Sequence, residues 1–407
     1  MTDWRTTSLG EICRFQAGDA FPKELQGAAT GDVPVVKVSD MNLSGNELFI
    51  SCANNWLSTP EVKPDFKLHP AGAVVFAKIG VALTSNRRRI LLRPTVIDNN
   101  MMSAVCTSDV DPRWFYYLLT TLDFNEVASG SALPYLTVRD LNRIAVSVPP
   151  LPEQRAIAAT LGALDDKIEL NRKMNATLEA MARALFRDWF VDFGPTRAKI
   201  EGRAPYLAPD LWSLFPDRLD AEGKPEGWES GQMSDLFTLQ RGFDLPSKER
   251  RDGRYPVLAA SGPSGFHESH MVKGPGVTTG RSGVLGRVFY VHEDFWPLNT
   301  SLWVKDYKRA TPLYAFQFLS LIDLAGFNAG SAVPTLNRNH VHGLPSILPP
   351  RDVVLAFDLV ADGLMQKHRQ NEAESETLAQ TRDLLLPRLM SGELRVADVD
   401  GQKAKHA

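Results

Sequence analysis

The sequence predicts an α+β protein built from two copies of one plan, each a mixed domain followed by a long helix. Three observations carry that reading. Residues 130–136 read Gly-Ser-Ala-Leu-Pro-Tyr-Leu and residues 330–336 read Gly-Ser-Ala-Val-Pro-Thr-Leu, an offset of 200 that also sets Pro149-Pro150 on Pro349-Pro350 and Asn99 on Asn299. The ungapped window 130–150 holds seven identities with its counterpart. Composition would give about one or two, and self-similarity at a fixed period marks a repeated architecture. Finally, each copy passes from short β-branched runs to a long stretch of mixed 3- and 4-residue apolar spacing, the period of helix rather than strand.

The first domain spans 1–148. Its runs 33–38 and 73–79 are rich in valine, are bounded by Gly, Pro and Asn, and read as strands. Residues 112–122 read as a short helix with Pro112 in its first turn. Beyond Pro152 apolar residues fall at 157, 161, 164, 168, 178, 181 and 185, so a helix fills most of 149–193 and stops at Gly194-Pro195. A connector follows over 194–225, with Pro at 195, 205, 209, 216 and 225. Tyr206, Leu207, Leu211, Trp212, Leu214 and Phe215 make it too apolar for a free tether, so it is expected to lie along the protein surface or touch a partner. The second domain covers 226–348, with strands at 255–258 and 286–291 and a short helix at 312–322. Residues 349–395 repeat the long helix through Leu355, Leu359, Leu364, Leu378 and Leu385, and 396–407 form a polar tail.

Each long helix is about 39 residues, or roughly 58 Å at 1.5 Å per residue. Alone it would leave its apolar stripe in water; two such helices can bury one another as a coiled coil. Asn171 and Asn371, each near the midpoint of its helix, fall on the predicted seam, accompanied by Asn175 and Ser375. A polar layer there costs stability and fixes register. Spacing alone fits parallel and antiparallel pairing equally.

Composition bounds the function class. The chain has 407 residues, 43% hydrophobic and 23% charged, which is globular. Cys13, Cys52 and Cys106 are odd in number and form no CxxC, which points to a reducing cytosol rather than a disulfide framework. The opening residues Met1-Thr2-Asp3-Trp4-Arg5 lack a basic-then-apolar signal, and no apolar run approaches the roughly 20 residues that cross a bilayer, so the expectation is a cytoplasmic protein. Net charge is −3; residues 1–150 hold 14 Lys+Arg against 15 Asp+Glu, and 225–350 hold 12 against 11. Composition by itself therefore gives no nucleic-acid signature.

A search for catalytic chemistry returns little. There is no GxxxxGK[ST] phosphate loop, and the glycine-rich 262–265 opens no helix. The histidine pairs 267/270 and 340/342 lack an i,i+4 metal spacing or nearby cysteines, so no metal is expected. No Asn-Pro-Pro-Tyr or Asp-Pro-Pro-Tyr motif of amino-methyltransferases occurs, and no serine or cysteine lies in a nucleophile elbow. Binding chemistry stands out instead. Lys78 and then Thr84-Ser85-Asn86-Arg87-Arg88-Arg89 bring hydroxyl, amide and guanidinium groups into one stretch. Arginine can read guanine bidentately and asparagine adenine, while hydroxyls suit phosphates. The second copy has Thr278-Thr279-Gly280-Arg281-Ser282-Gly283, and Ser261 to His267, including Ser264, forms a further candidate loop.

Phe21-Pro22-Lys23, Pro34-Val35-Val36-Lys37-Val38-Ser39-Asp40-Met41-Asn42, Phe76-Ala77-Lys78-Ile79-Gly80 and Asp98-Asn99-Asn100-Met101-Met102, taken with these features, carry a resemblance to a known family, the specificity subunits of type I restriction–modification enzymes. It is most specific at the helix start, Pro149-Pro150-Leu151-Pro152-Glu153-Gln154-Arg155-Ala156-Ile157. In the second half, Gly253-Arg254-Tyr255-Pro256-Val257, Lys273-Gly274-Pro275-Gly276, Gly280-Arg281-Ser282-Gly283 and Asp294-Phe295-Trp296-Pro297-Leu298-Asn299-Thr300 continue it, so that nearly the whole chain is covered in order. The second helix start departs from the pattern: Pro349-Pro350-Arg351-Asp352 has no Pro-Glu-Gln.

The resemblance implies two target-recognition domains held by an antiparallel coiled coil, in a non-catalytic subunit that reads a bipartite double-stranded DNA site. It implies DNA contacts at Lys37, Ser39, Lys78, Thr84, Ser85, Asn86, Arg87, Arg88, Arg89, Ser261, Ser264, His267, Thr279, Arg281 and Ser282, and partner contacts at Glu153, Gln154 and Arg155. Two methyltransferase subunits would bring S-adenosylmethionine, and a motor–nuclease subunit would bring ATP and Mg; no cofactor is expected on this chain. The competing expectation is a protein–protein scaffold without sequence-specific DNA binding, which would share the repeat and the coil but not the loop chemistry.

Overall fold

The computed structural model describes residues 4–62, 66–130, 133–329 and 332–396. They fall into two compact units, residues 1–171 with 373–407, and residues 172–372. The long helices run from Leu151–Phe190 and Arg351–Met390, 40 residues each, so each unit takes about half of each helix.

Among the described residues of the first unit ten strands form three sheets. β1 (Arg5–Ser8) pairs antiparallel with β10 (Ala145–Val148), Arg5 opposite Val148, so the two ends of the domain close on each other. The main sheet has the order β2 (Cys13–Ala17), β9 (Met101–Cys106), β6 (Val74–Ala77), β7 (Arg89–Leu91), β4 (Phe49–Ile50). β6 reads Val-Val-Phe-Ala and every residue is buried, as a central strand covered on both faces requires. A smaller sheet sets β3 (Val33–Val36) between β5 (Asn55–Leu57) and β8 (Val96–Ile97). The predicted strand 33–38 stops at Val36 because Asp40 accepts the Lys37 N–H at 2.8 Å and turns Val38–Asn42 into a 3-10 segment.

The helix Pro112–Thr121 starts where expected, capped by Asp111, which accepts the N–H groups of Arg113 and Trp114. Its Trp114, Phe115, Leu118 and Leu119 join Ile157, Ala158 and Leu161 of the first long helix and Leu389 and Met390 of the second in one core. Within this unit Asp165 accepts from Tyr117 Oη (2.5 Å) and from Arg382 Nη1 (2.7 Å), Lys167 meets Glu374 at 3.1 Å, and Asn171 donates to Glu374 at 2.8 Å. The partner number drops from 382 at Asp165 to 374 at Lys167 and Asn171, so the pairing is antiparallel.

The second unit repeats the plan. β11 (Glu229–Gln232) pairs with β19 (Pro345–Leu348) as the closing ribbon. The main sheet is β12 (Phe237–Arg241), β18 (Ser301–Tyr307), β15 (Gly276–Gly280), β16 (Val288–Val291). The small sheet is β14 (Gly262–His267), β13 (Tyr255–Ala259), β17 (Trp296–Pro297), with β13 antiparallel to β14 and parallel to β17, as β3 is to β5 and β8. Here too the helices run antiparallel. Asn371 donates to Asn175 at 2.8 Å, Glu179 meets His368 at 2.9 Å, and the rings of Phe186 and Phe357 lie 5.5 Å apart. Trp189, Phe190, Tyr314 and Trp228 extend this aromatic core.

Several sequence expectations shift. Met181, Leu355 and Leu359 are exposed, Leu359 by 77%, whereas Leu364, Leu378 and Leu385 are half-buried, so the first two leucines of the predicted second stripe lie off the buried face at the start of that helix. That face is Val353, Val354, Phe357, Ala361 and Met365, because the first turns of this helix pack on their own domain through Val, Phe and Ala rather than Leu. The first long helix ends at Phe190, and Gly194-Pro195 does not stop it but opens a further short helix, Gly194–Ile200, with Pro195 in the first turn. The connector is part of the second unit's core: Phe215 is buried, its ring 5.0 Å from that of Trp189. Val396 packs partly against the first unit's core, whereas residues 397–407 of the expected tail, and 131–132 and 330–331 of the repeated heptapeptide, lie outside the described residues.

Candidate nucleic-acid interface

In the first domain the cationic stretch after β6 divides between interior and surface. Gly80, in the left-handed region at φ 77°, leads into the single helical turn Val81–Thr84, where Thr84 and Ser85 bond back to the carbonyls of Val81 and Ala82 at 2.7 Å. Both hydroxyls stay exposed. Asn86 also takes a left-handed conformation (φ 53°), which asparagine tolerates, and its side chain turns inward. It donates to the Leu122 carbonyl (3.1 Å) and accepts from Arg88 (2.8 Å) and the Phe124 N–H (3.1 Å). Arg88, 2% exposed, lies 3.9 Å above the Phe124 ring and 5.7 Å from Phe76. Asn86 and Arg88 are therefore corrected from DNA contacts to internal braces: the Asn86 amide and Arg88 Nη2 bond within the domain, and Arg88 Nε is buried without a partner among the described residues. Arg89 is half-buried on β7, donating to the Arg88 carbonyl. Arg87 is the exposed guanidinium of the three, at the rim of a groove of about 350 Å³ lined by Val38, Met41, Ala77, Val81 and Ser85. Ser39 is exposed nearby; Lys37 is half-buried over the Phe21 ring with its Nζ on Gln26 (2.7 Å), and Lys78 is half-buried.

The second domain moves the chemistry further from the expected residues. Thr278 and Thr279 are not loop residues but buried positions of β15, and the 262–267 loop is strand β14. Thr279 Oγ1 donates to the Arg287 carbonyl at 2.8 Å. His267 is buried, accepting the Arg251 N–H at 3.1 Å, edge-on to Trp296. Both are corrected to structural roles, since neither side chain reaches the surface. Arg281 and Ser282 are half-buried, with Arg281 Nη1 on the Asn299 carbonyl at 2.8 Å. Ser261 and Ser264 are exposed, and their carbonyls hold two arginines: Arg287 at 2.8 Å and Arg250 at 2.7 Å. Sequence reasoning missed Arg250, Arg254, Arg287 and the 61%-exposed Phe266. A signal existed in Arg287-Val288-Phe289, where strand alternation sets cation and ring on one face.

Among the described residues no group of three or more His, Cys, Asp or Glu gathers as a metal site, and no helix is long and apolar enough to cross a membrane.

The comparison with protein families decides the identity. Residues 1–180 and 225–352 match the family model described as type I restriction modification DNA specificity domain. The chain belongs to the type I restriction–modification specificity subunits. Among its relatives, the MjaIX specificity subunit of Methanocaldococcus jannaschii is 24% identical over 98% of this chain and 95% of its own length. The HindI specificity subunit of Haemophilus influenzae is 25% identical over 97% and 100%. The crystal structure of the S subunit from M. genitalium shares the fold, with a TM-score of 0.59, 16% identity and 96% of each chain covered. Specificity subunits are the non-catalytic, DNA-recognising component of these systems.

In this specificity subunit the two helix starts solve one problem differently. Gln154, 1% exposed, accepts the Asp111 N–H (2.8 Å) and donates to the Pro149 carbonyl (2.9 Å), while Glu153 accepts from Trp4 Nε1 (3.0 Å). Gln154 is thus corrected from partner contact to a clasp between helix and domain, and Arg155 alone of the expected trio is exposed. The second start lacks that glutamine, and Arg351 replaces it by donating to the carbonyls of Arg309 and Ala310 at 3.1 and 3.0 Å. On the seam, Asn171 and Asn371 are both fully buried.

Proposed function

We propose that each domain of this specificity subunit reads one half of a bipartite double-stranded DNA site, and that the long helices set the gap between the halves. On this reading the chain recruits two methyltransferase subunits, which carry S-adenosylmethionine and flip one adenine in each half-site. A motor–nuclease subunit joins with ATP and Mg. The specificity subunit itself holds no cofactor and works in the cytoplasm. The observation that supports the reading is a duplicated plan in which each domain carries an exposed guanidinium, Arg87 in one and Arg287 in the other. Arginine is the side chain suited to base edges, and exposed hydroxyls such as Thr84, Ser85, Ser261 and Ser264 suit the phosphates that fix register. A net charge of −3 fits because phosphate neutralisation would be shared with the partner subunits.

The test is single-molecule mapping of methyladenine in DNA from cells that co-express the chain with its cognate methyltransferase. A split motif, two short defined halves around a fixed unspecified gap, is the expected result. A methyltransferase that co-purifies yet leaves no motif would refute sequence reading, and failure to co-purify would leave the chain a scaffold for other proteins.

A further inference from the structure

We propose that Arg287 reads a guanine in the half-site assigned to the second domain, an inference that rests on the DNA-reading function above. Arg287 follows the turn between β15 and β16, preceded by Gly286 in the left-handed region at φ 86°. Three contacts fix it. Its carbonyl accepts from Thr279 Oγ1 at 2.8 Å, its guanidinium carbon lies 5.1 Å from the centroid of Phe289, and Nη1 donates to the Ser261 carbonyl at 2.8 Å. Gly262 makes this possible. A Cβ there would meet the Phe289 ring at 2.9 Å, so only glycine lets the start of β14 close against the ring and offer the Ser261 carbonyl.

The consequence is a guanidinium held by one edge. Among the described residues Nε and Nη2 have no hydrogen-bond partner on the chain, no carboxylate lies within ion-pair distance, and the residue is exposed. The open Nε–Nη2 edge presents two parallel donors in a fixed plane. Guanine alone offers two acceptors, O6 and N7, on its major-groove edge, while adenine offers one acceptor and one donor. A phosphate accepts the same fork, but such a contact does not depend on which base stands at one position of the site. Bracing before binding lowers the ordering cost of a directional contact.

The experiment uses the full chain in complex with its methyltransferase and duplexes carrying the mapped site. Each guanine of the second half-site is replaced in turn by 7-deazaguanine, which lacks the N7 acceptor. At one guanine the wild-type complex should lose about fivefold or more in affinity, and the Arg287→Ala complex should lose nothing further there. Mapped in cells, Arg287→Ala should make the motif degenerate at that position and leave the other half-site unchanged. Arg287→Lys, which keeps the charge without the fork, should behave alike and covers the case in which the alanine variant does not fold. The inference is overturned if the variants keep the full penalty at every guanine, or if they methylate an unchanged motif at a lower level, as loss of a phosphate contact would produce. A wild-type complex with no bipartite motif would instead defeat the reading it rests on.

Discussion

Arg87 and Arg88 are sequence neighbours with opposite fates: in the short lead-in to β7, Arg87 is exposed while Arg88 is buried against the rings of Phe124 and Phe76. Arg88 can be buried because two phenylalanine rings, the Asn86 amide and the Leu122 carbonyl take up its charge and donors. Arg88→Ala should therefore destabilise the first unit by about 1–3 kcal/mol, since Asn86 and the Leu122 carbonyl lose a partner. Arg87→Ala should leave the thermal midpoint unchanged and weaken DNA binding; thermal melts and gel-shift titrations of both variants separate the two roles. In the sequence the run Asn86-Arg87-Arg88-Arg89 looks uniformly cationic. What sorts it is Phe76 and Phe124, ten and more residues away in the chain, so which of its residues face outward was not legible in the sequence. Thr279 gives the same lesson from the other side: its hydroxyl donates to the Arg287 carbonyl instead of facing outward.

At the scale of the helices, apolar spacing located both elements to within two to five residues at each end, and the mid-helix asparagines lie buried. The stripe phase was illegible where the helix packs on its own domain, because Val and Phe there displace Leu from the buried face. Phe357→Ala should cost about 3–5 kcal/mol, whereas Leu359→Ala should change the melting midpoint little. His368 adds a pH signature. Hydrogen bonds to Glu179 and then to Glu372 hold its imidazolium, raising its pKa to about 9 from an ordinary value near 6.5. A histidine whose folded value is raised stabilises fully below the unfolded value and loses that contribution as pH climbs through the folded one. The second unit should thus melt lower at pH 9.5 than at pH 6.5, and His368→Gln should flatten the difference; equal slopes in calorimetric melts of both proteins would refute the assignment.

For the whole molecule, the proposed reading makes helix length a ruler. Removing one heptad from each long helix shortens it by roughly 10.5 Å, or about three base pairs at 3.4 Å per pair. The mapped motif should keep both halves and lose about three positions of gap; an unchanged gap would sink the ruler. The internal repeat and the mixed α+β plan were plain in the sequence, since the offset of 200 holds from Asn99 into the first long helix. The division into units was not, because no local signal tells which half of a helix packs on which domain. That division bears on how the chain is made. The second unit is one contiguous stretch, 172–372, but the first takes Leu389 and Met390 into its core beside Ile157 and Leu161. At about 5–20 residues per second of synthesis, the first domain waits on the order of ten seconds or more for residues that lie over 200 positions downstream. During that interval Ile157 and Leu161 lack their final cover, so a ribosome stalled in the second long helix would release a chain whose defect lies in the half translated first.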